Sequence, residues 1–335
     1  RSGGQQAVLQ MCDGLARHHS CTYAYLSEYA EVESITPITP FLNAIELPGK
    51  HHRTWRSRLL APGFLYTDRI TKFSLRAHAS RDLIASLRRL IAEHDVIIFS
   101  HPWAWPAART LPELEDKLVI YDSHNIEFHI ARRSDLPWLE RHATTLAQSE
   151  IERGLCQRAD LILACTIEDR DAYAKAFQVD PRKIHTGFKG VSCDAHVRLA
   201  GDDTVERERS ALFVGSAWSP NNLAAQMIAH DLASAQPSVN WLIAGTCAKH
   251  VAPQPPDNVQ LMGFVDDLAM LMRRSLVAVN PITTGTGINM KMMEYLAAGL
   301  PVVTTPFGAR GITGPAREAL VICDLKEFPQ AVEQL

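Results

Sequence analysis

The sequence predicts an α/β protein with two doubly wound parallel-sheet domains. Short runs rich in Val, Ile and Leu alternate with segments of helical spacing, which is typical of parallel sheets covered by helices on both faces. A length of 335 residues with 46% hydrophobic content allows two cores of ordinary domain size. Around 191–206 the pattern lapses into polar sequence, which we interpret as a linker between a domain of residues 1–195 and one of residues 205–335.

The strand candidates are apolar runs separated by helical segments. Ligands of such sheets bind at the carboxyl ends of the strands, so we expect the active site in a cleft between the domains. Gly3 and Gly4 are expected to form a turn at the cleft before a helix over 5–17, with the first strand upstream of Arg1. The predicted strands are 21–26, 44–47, 96–100, 118–122, 161–165, 211–215, 239–244, 259–262, 276–280 and 302–304.

Net charge, apolar runs and the spacing of cysteines and histidines limit which classes of protein the chain can belong to. A net charge of −3 gives no overall attraction to nucleic acid, so we expect no nucleic-acid partner. No apolar run reaches the 18 residues of a membrane span and no leader pattern opens the chain, which favours a soluble, cytoplasmic protein. Seven cysteines without a C-x-x-C pair indicate a reducing compartment, and neither Cys nor His shows zinc-ligand spacing, so no metal is expected.

The segment N-P-I-T-T-G-T-G-I-N-M-K-M-M-E-Y-L-A-A-G-L-P-V-V-T-T, over 280–305, is the most informative one for function. The apolar run before it predicts a buried strand, the Thr/Gly cluster 283–287 a tight loop, and 288–298 a helix closed by glycine and proline. Glycines let a ligand approach the backbone, and the free N–H groups of a helix's first turn attract anions. The segment therefore predicts a phosphate site.

Lys291 stands in the first turn of that helix, where the helix dipole disfavours a cation unless a negative ligand is present. Glu294 lies three residues on and shares its face. The alternative is an ordinary surface ion pair, but the preceding glycine loop favours a ligand site. The apolar stripe expected to face the core consists of Met290, Met293, Leu296 and Ala297.

This segment resembles the nucleotide-sugar site of retaining glycosyltransferases with the GT-B fold, family 4 in particular. The resemblance implies that Glu294 binds the ribose of the donor nucleotide and that loop amides contact the sugar and diphosphate. The implied loop residues are Gly285, Thr286, Gly287, Ile288 and Asn289. The family often has two glutamates eight positions apart, and Thr286 replaces the first one, which leaves the identity of the donor sugar open.

Two further segments of the second domain fit the same resemblance. Gly215 and Ser216 follow a strand and face the diphosphate, but the Arg and Lys that many family members carry there are missing, so Lys291 must compensate more of its charge. A helix N-cap is an equal alternative to a ligand role for the Asn pair at 221–222. Phe264 follows another strand, where backbone groups would read the nucleobase.

Polar residues at 121–127 follow a strand of the first domain, where parallel sheets place their chemistry. The resemblance implies that His124 lies beside the transferred sugar, with Asn125 next to it; a histidine bonded to local backbone is the alternative. Asp122 and Glu127 are predicted to orient this loop.

His101 and Trp103 follow the strand at 96–100 and either reach the cleft, where they would contact an acceptor sugar, or form a packed loop. The stretch 50–90 has ten Lys/Arg against two acids with interleaved aromatic residues. It predicts either peripheral contact with the inner face of a membrane, which could hold a lipid-linked acceptor, or a solvated helix face.

We therefore expect a metal-independent glycosyltransferase that uses a UDP- or GDP-sugar as co-substrate, needs no cofactor and acts on a glycan, lipid-linked or small-molecule acceptor with retention. The residues predicted to act in catalysis are His124, Lys291 and Glu294. A nucleotide-sugar epimerase of the same architecture and a non-catalytic nucleotide- or sugar-binding protein are the alternatives.

Overall fold

A computed structural model describes residues 3–27, 30–49, 67–77, 80–187, 189–191, 206–285 and 287–335. The chain forms two compact units. The N-terminal unit consists of residues 8–188, and the C-terminal unit consists of residues 189–335 together with residues 1–7. The predicted linker at 191–206 and the part of the basic stretch at 50–66 lie mostly outside the described residues, so both interpretations stay predictions.

The N-terminal unit contains two sheets. A three-stranded sheet has the order β1-β3-β2, and a fully parallel sheet has the order β4-β5-β6-β7. The strands are β1 Cys21–Ser27, β2 Ser34–Thr39, β3 Leu42–Pro48, β4 Val96–Phe99, β5 Leu118–Asp122, β6 Leu161–Ala164 and β7 Ile184–Thr186. The helices are α1 Gly3–Ala16, of which residues 8–16 belong to this unit, α2 Arg69–Arg76, α3 Arg81–Glu93, α4 Trp105–Ala108, α5 Glu127–Arg132, α6 Trp138–Arg158 and α7 Ile167–Phe177.

The C-terminal unit contains one six-stranded parallel sheet with the order β10-β9-β8-β11-β12-β13. Its strands are β8 Glu208–Val214, β9 Asn240–Ala244, β10 Val259–Gly263, β11 Ser275–Asn280, β12 Val302–Thr304 and β13 Leu320–Ile322. Its helices are α8 Ser219–Met227, which runs through a π-helical segment into α9 Ala233–Ala235, then α10 Leu268–Arg274, α11 Met290–Ala297, α12 Pro315–Glu318 and α13 Phe328–Glu333.

Successive residues of the central strands enter different cores, as the pleat requires. On β8, Phe213 belongs to the core under α8 and α13, whereas Leu212 belongs to the core under α10 and α11. Both side chains are fully buried. The sheet is thus covered by helices on both faces, which confirms the predicted doubly wound α/β class.

Every predicted strand is present, and the structure adds β2, β7 and β13. Strand β2 runs antiparallel to β3, is almost fully exposed and contains Pro37, so it lacks the apolar run used to find the others. Strands β7 and β13 have three residues each, too few to show a periodicity.

Two helix predictions need correction. Gly3 and Gly4 form the first turn of α1 rather than a turn before it. In α11 the fully buried residues are Met292 and Tyr295, whereas the predicted core stripe at 290, 293, 296 and 297 is only partly buried. The pattern missed this because Tyr295 carries a polar group that bonds inside the core: its Oη accepts the N–H of Val214 at 2.8 Å.

Candidate functional site

The order of the six-stranded sheet defines where its ligands should bind. From β8 the chain moves outward through β9 and β10, then returns to β11 on the other side of β8. The carboxyl ends of β8 and β11 therefore form the topological switch point of a doubly wound sheet, where such folds bind ligands. The loops at this point contain the predicted residues Gly215 and Ser216 after β8, and Gly285, Gly287, Ile288 and Asn289 after β11.

Gly215 has no room for a side chain. A Cβ added there would lie 2.9 Å from Cys247 Sγ and 3.0 Å from Asn221 Cβ. Its carbonyl accepts the N–H of Cys247 at 3.1 Å, and a Cβ on Gly245, whose φ is +95°, would lie 2.2 Å from the same oxygen. Two backbones thus approach closely at the ends of β8 and β9.

Asn221 connects the loop after β8 to helix α11. Its Nδ2 donates to the carbonyl of Ser216 at 3.1 Å, and its Oδ1 accepts a hydrogen bond from Lys291 Nζ at 2.7 Å. The N-cap interpretation of the Asn pair is wrong, because Trp218 is the N-cap of α8 and both asparagines lie inside the helix. Sequence reasoning therefore missed Asn221 as a partner of Lys291.

Lys291 lies in the first turn of α11, partly buried, with Nζ 4.1 Å from the centroid of the Phe213 ring. Burial lowers the pKa of Lys291 to about 7, and the nearby Cys247 and Glu294 offset only part of this effect. Its hydrogen-bond partner is Asn221 rather than Glu294, so the surface ion pair does not describe this lysine. A partly desolvated ammonium at a helix N-terminus is arranged to receive an anion.

Glu294 follows one turn later, partly buried. Burial raises the pKa of its carboxyl, while Lys291 lowers it. The adjacent Tyr295 is fully buried and holds this turn of α11 against the end of β8 through Val214. The structure thus brings Glu294, Lys291 and the turn at Gly215 to one place.

The loop before α11 requires glycine at two positions. Gly285 has φ +138° and Gly287 has φ +67°, which side chains rarely tolerate. A Cβ on Gly285 would also lie 3.1 Å from the indole of Trp218. Asn289 is the N-cap of α11, although its side chain makes no capping bond, and Ile288 precedes it. The predicted residue Thr286 lies outside the described residues.

Arg310 is a neighbour of this loop that the sequence reasoning missed. Its Nη2 donates to the carbonyl of Gly287 at 2.8 Å, and its guanidinium carbon lies 4.2 Å from the centroid of the Phe307 ring. The signal was present, because P-F-G-A-R follows β12, and the ends of β12 and β11 are adjacent in a parallel sheet. Phe264, by contrast, follows the edge strand β10 and is 77% exposed.

In the N-terminal unit, His124 is buried after β5. Its Nε2 lies 3.2 Å from Asp122 Oδ2, and its ring stacks on His101 with a centroid distance of 4.8 Å. His101 Nδ1 in turn lies 3.3 Å from Glu127 Oε1. The structure therefore brings together both predicted histidines and the two carboxylates predicted to orient the loop.

Glu152 of α6 lies beneath this cluster and was not predicted. Its Oε1 lies within hydrogen-bond distance of Tyr121 Oη and Tyr173 Oη, both at 3.0 Å, and its Oε2 accepts the N–H of Phe128 at 3.0 Å. Burial is the main cause that raises the pKa of Glu152 to about 8, and the charge of Glu127 adds to it. The network thus joins β5, the start of α5, α6 and α7 under the histidine loop.

Asn125 and Trp103, which were also predicted for this unit, form hydrogen bonds mainly through their backbone carbonyls. The carbonyl of Asn125 accepts Tyr173 Oη at 2.9 Å and Ser123 Oγ at 3.0 Å. Trp103 is partly buried in a 3₁₀ turn, and its carbonyl accepts Ser74 Oγ at 2.6 Å. Acceptor roles for Trp103, Asn125, Gly3 and Gly4 stay predictions.

Within the described ranges, no group of three or more His, Cys, Asp or Glu side chains is arranged to hold a metal ion. Of the helices in the described part of the chain, none has the length and apolarity needed to cross a bilayer. A cavity of about 360 Å³ lies between α10 and the sheet, with Glu208, Gln260 and Arg274 among its lining residues. None of the predicted site residues lines it.

Residues 208–335, which span the described part of the C-terminal unit from β8 onward, match the family model described as glycosyl transferases group 1. No curated protein sequence matches the chain.

Solved structures with this fold include several transferases. Sucrose-phosphate synthase from Thermosynechococcus elongatus aligns with a TM-score of 0.66 at 13% identity, covering 98% of this chain and 82% of the other. Trehalose 6-phosphate synthase from Burkholderia multivorans aligns with a TM-score of 0.62 at 14% identity, covering 97% of this chain and 83% of the other. Anabaena HepE in complex with UDP-glucose aligns with a TM-score of 0.54 at 14% identity, covering 76% of this chain and 72% of the other. These likenesses confirm the GT-B fold that the resemblance implied.

Proposed function

We propose that this chain is a glycosyltransferase that moves a sugar from a UDP- or GDP-linked donor to a glycan, a lipid-linked acceptor or a small molecule. The observation that carries the proposal is Lys291, a partly buried ammonium in the first turn of α11 beside the glycine loop. It lies in the unit that matches the glycosyl transferases group 1 model. The complex of Anabaena HepE with UDP-glucose supports a nucleotide sugar as the ligand.

In this proposal the bond between the anomeric carbon and the β-phosphate oxygen breaks, and an acceptor oxygen bonds to that carbon. The acceptor loses a proton, and the nucleoside diphosphate leaves. Charge develops on the leaving diphosphate, so groups preorganised around it lower the barrier. Lys291 and the amides of 287–289 supply these groups, while Glu294 holds the ribose, as the resemblance implies.

His124 is proposed to contact the transferred sugar. Asp122 and His101 flank its ring, so its orientation is fixed before any ligand binds. Retention of configuration and independence from metal follow from the resemblance. Membrane contact through 50–90 belongs to the proposal only where the acceptor is lipid-linked.

The experiment is incubation of the full chain with a panel of UDP- and GDP-sugars, followed by mass spectrometry of free nucleotide and sugar. Slow donor hydrolysis that Lys291→Met abolishes is the expected result. Interconversion of the donor sugar would instead support the epimerase alternative, and binding without turnover the non-catalytic one. Absence of binding to any UDP or GDP compound would reject the proposal.

A further inference from the structure

The guanidinium of Arg310 contacts both the glycine loop before α11 and an aromatic ring. It donates from Nη2 to the Gly287 carbonyl at 2.8 Å and stacks on Phe307, so its guanidinium is held from two sides. Its Nε is buried and has no hydrogen-bond partner within the described ranges. The turn after β8, from Gly215 to Asn222, contains no Arg or Lys. Arg310 is therefore a second cation next to the glycine loop, besides Lys291.

Because the peptide unit is planar, the hydrogen bond to the Gly287 carbonyl also sets the direction of the N–H of Ile288. In a planar trans peptide the C=O of one residue and the N–H of the next point in opposite directions. The bond from Arg310 to the Gly287 carbonyl therefore fixes the Ile288 N–H on the side away from the guanidinium. That N–H has no hydrogen-bond partner among the residues that the structure describes. Since a glycine at φ +67° allows this peptide to rotate easily, its orientation needs an external tie.

We propose that Arg310 is a positioning residue of the donor site, which holds the Gly287–Ile288 peptide so that its N–H faces the diphosphate, and which adds positive charge there. This inference rests on the proposed function. It predicts that Arg310 acts on the diphosphate part of a ligand and not on the nucleoside part. A residue that only stabilised the turn after β12 would affect both parts alike.

The test compares Arg310→Met and Arg310→Lys with the unchanged full chain by calorimetric titration of UDP, GDP, uridine and guanosine. Arg317→Met is the matched control, because Arg317 bonds the carbonyls of Ala309 and Ile312 at 3.4 Å in the same segment but not the glycine loop. We expect Arg310→Met to weaken diphosphate binding about tenfold or more, since bonds to charged groups contribute this much, and to change nucleoside binding less than about twofold. Arg317→Met should change neither.

Unchanged diphosphate affinity in Arg310→Met, or equal losses for diphosphate and nucleoside, would overturn the inference. If Arg310→Met does not fold, Arg310→Lys decides, because lysine keeps the charge but lacks the planar fork. We expect it to lose about threefold in diphosphate affinity alone, as about half of a charged hydrogen bond is lost. Should the unchanged chain bind neither UDP nor GDP, the proposed function fails and this inference with it.

Discussion

In each unit burial shifts the pKa of an ionisable side chain towards its neutral form, an acid in the N-terminal unit and a base in the C-terminal unit. Burial raises the pKa of Glu152 to about 8 in the N-terminal unit and lowers the pKa of Lys291 to about 7 in the C-terminal unit. Glu152 is hydrogen-bonded to two tyrosine hydroxyls and accepts a backbone N–H. Among the residues that the structure describes, Lys291 donates one side-chain hydrogen bond, to Asn221, although an ammonium has three N–H donors.

We propose that this difference separates a structural buried acid from a ligand-binding buried base. A buried carboxyl paired with two tyrosine hydroxyls and a backbone N–H stabilises the loop that it supports without any ligand. An ammonium that is partly desolvated and bonded once becomes more stable when an anion arrives. A perturbed pKa alone therefore does not distinguish the two groups, whereas the number of hydrogen bonds that each can still make supports the proposal that Lys291 belongs to the donor site.

Lys291→Met tests the functional side of the comparison and has the largest expected effect. Removing this cation should lower donor turnover at least about 100-fold, as expected for loss of a preorganised group at developing charge. Release of UDP or GDP from the matching sugar donor measures it. Lys326→Met, at an exposed position, is the control and should leave turnover unchanged. Full turnover in Lys291→Met would show that the two buried charges do not differ in this way.

The pH dependence of donor binding sharpens the same comparison. Lys291 is half protonated at about pH 7 in the free chain, and a bound diphosphate raises its pKa, so binding takes up a proton above that pH. Affinity for UDP should then fall about tenfold between pH 6 and pH 8 because of this group. Titration calorimetry in two buffers of different ionisation enthalpy measures the uptake. Lys291→Arg stays charged, so the same uptake in this variant would contradict the assignment.

The sequence predicted the C-terminal site in better detail than the N-terminal one, for a physical reason. Strand, glycine loop and helix are contiguous between Ser275 and Ala297, so local patterns place Lys291 and Glu294 together. Asn221 and Arg310 come from other strands, and only the strand order brings them to this loop. No local pattern contains that order.

The network under His124 was beyond sequence reasoning for another reason. Tyr121, Glu152 and Tyr173 lie on β5, α6 and α7, and each occupies a position that a helical or strand pattern would give to an apolar or solvated residue. Their mutual hydrogen bonds make their burial possible. Only the packed structure shows that the three polar groups compensate one another.

Glu152→Gln tests the structural side of the comparison. The folded pKa of about 8 exceeds the unfolded value of about 4.3, so the folded chain keeps a proton that the unfolded chain releases. The stabilisation is complete below pH about 4 and is lost as the pH rises through 8, by at most about 1.4 kcal/mol per pH unit. Urea unfolding of Glu152→Gln should lack this slope relative to the unchanged chain.

The control for that experiment is Glu150→Gln on the same helix, whose side chain is 71% exposed. Its unfolding free energy should follow the pH profile of the unchanged chain, because an exposed carboxyl has nearly the same environment in both states. A slope in Glu152→Gln that equals that of the unchanged chain would mean that Glu152 is ionised in the folded protein. The contrast with Lys291 would then disappear.

His101→Asn has the smallest expected effect and asks whether the two units act on different parts of the reaction. The variant removes the ring stacked on His124 and its contact with Glu127. A stacked pair contributes about 0.6 kcal/mol, so turnover should fall about threefold while UDP affinity stays unchanged. His185→Asn, at an exposed position, should alter neither quantity. If His101→Asn also lost UDP affinity, the histidine cluster would take part in nucleotide binding, and the two units would not act on separate parts of the reaction.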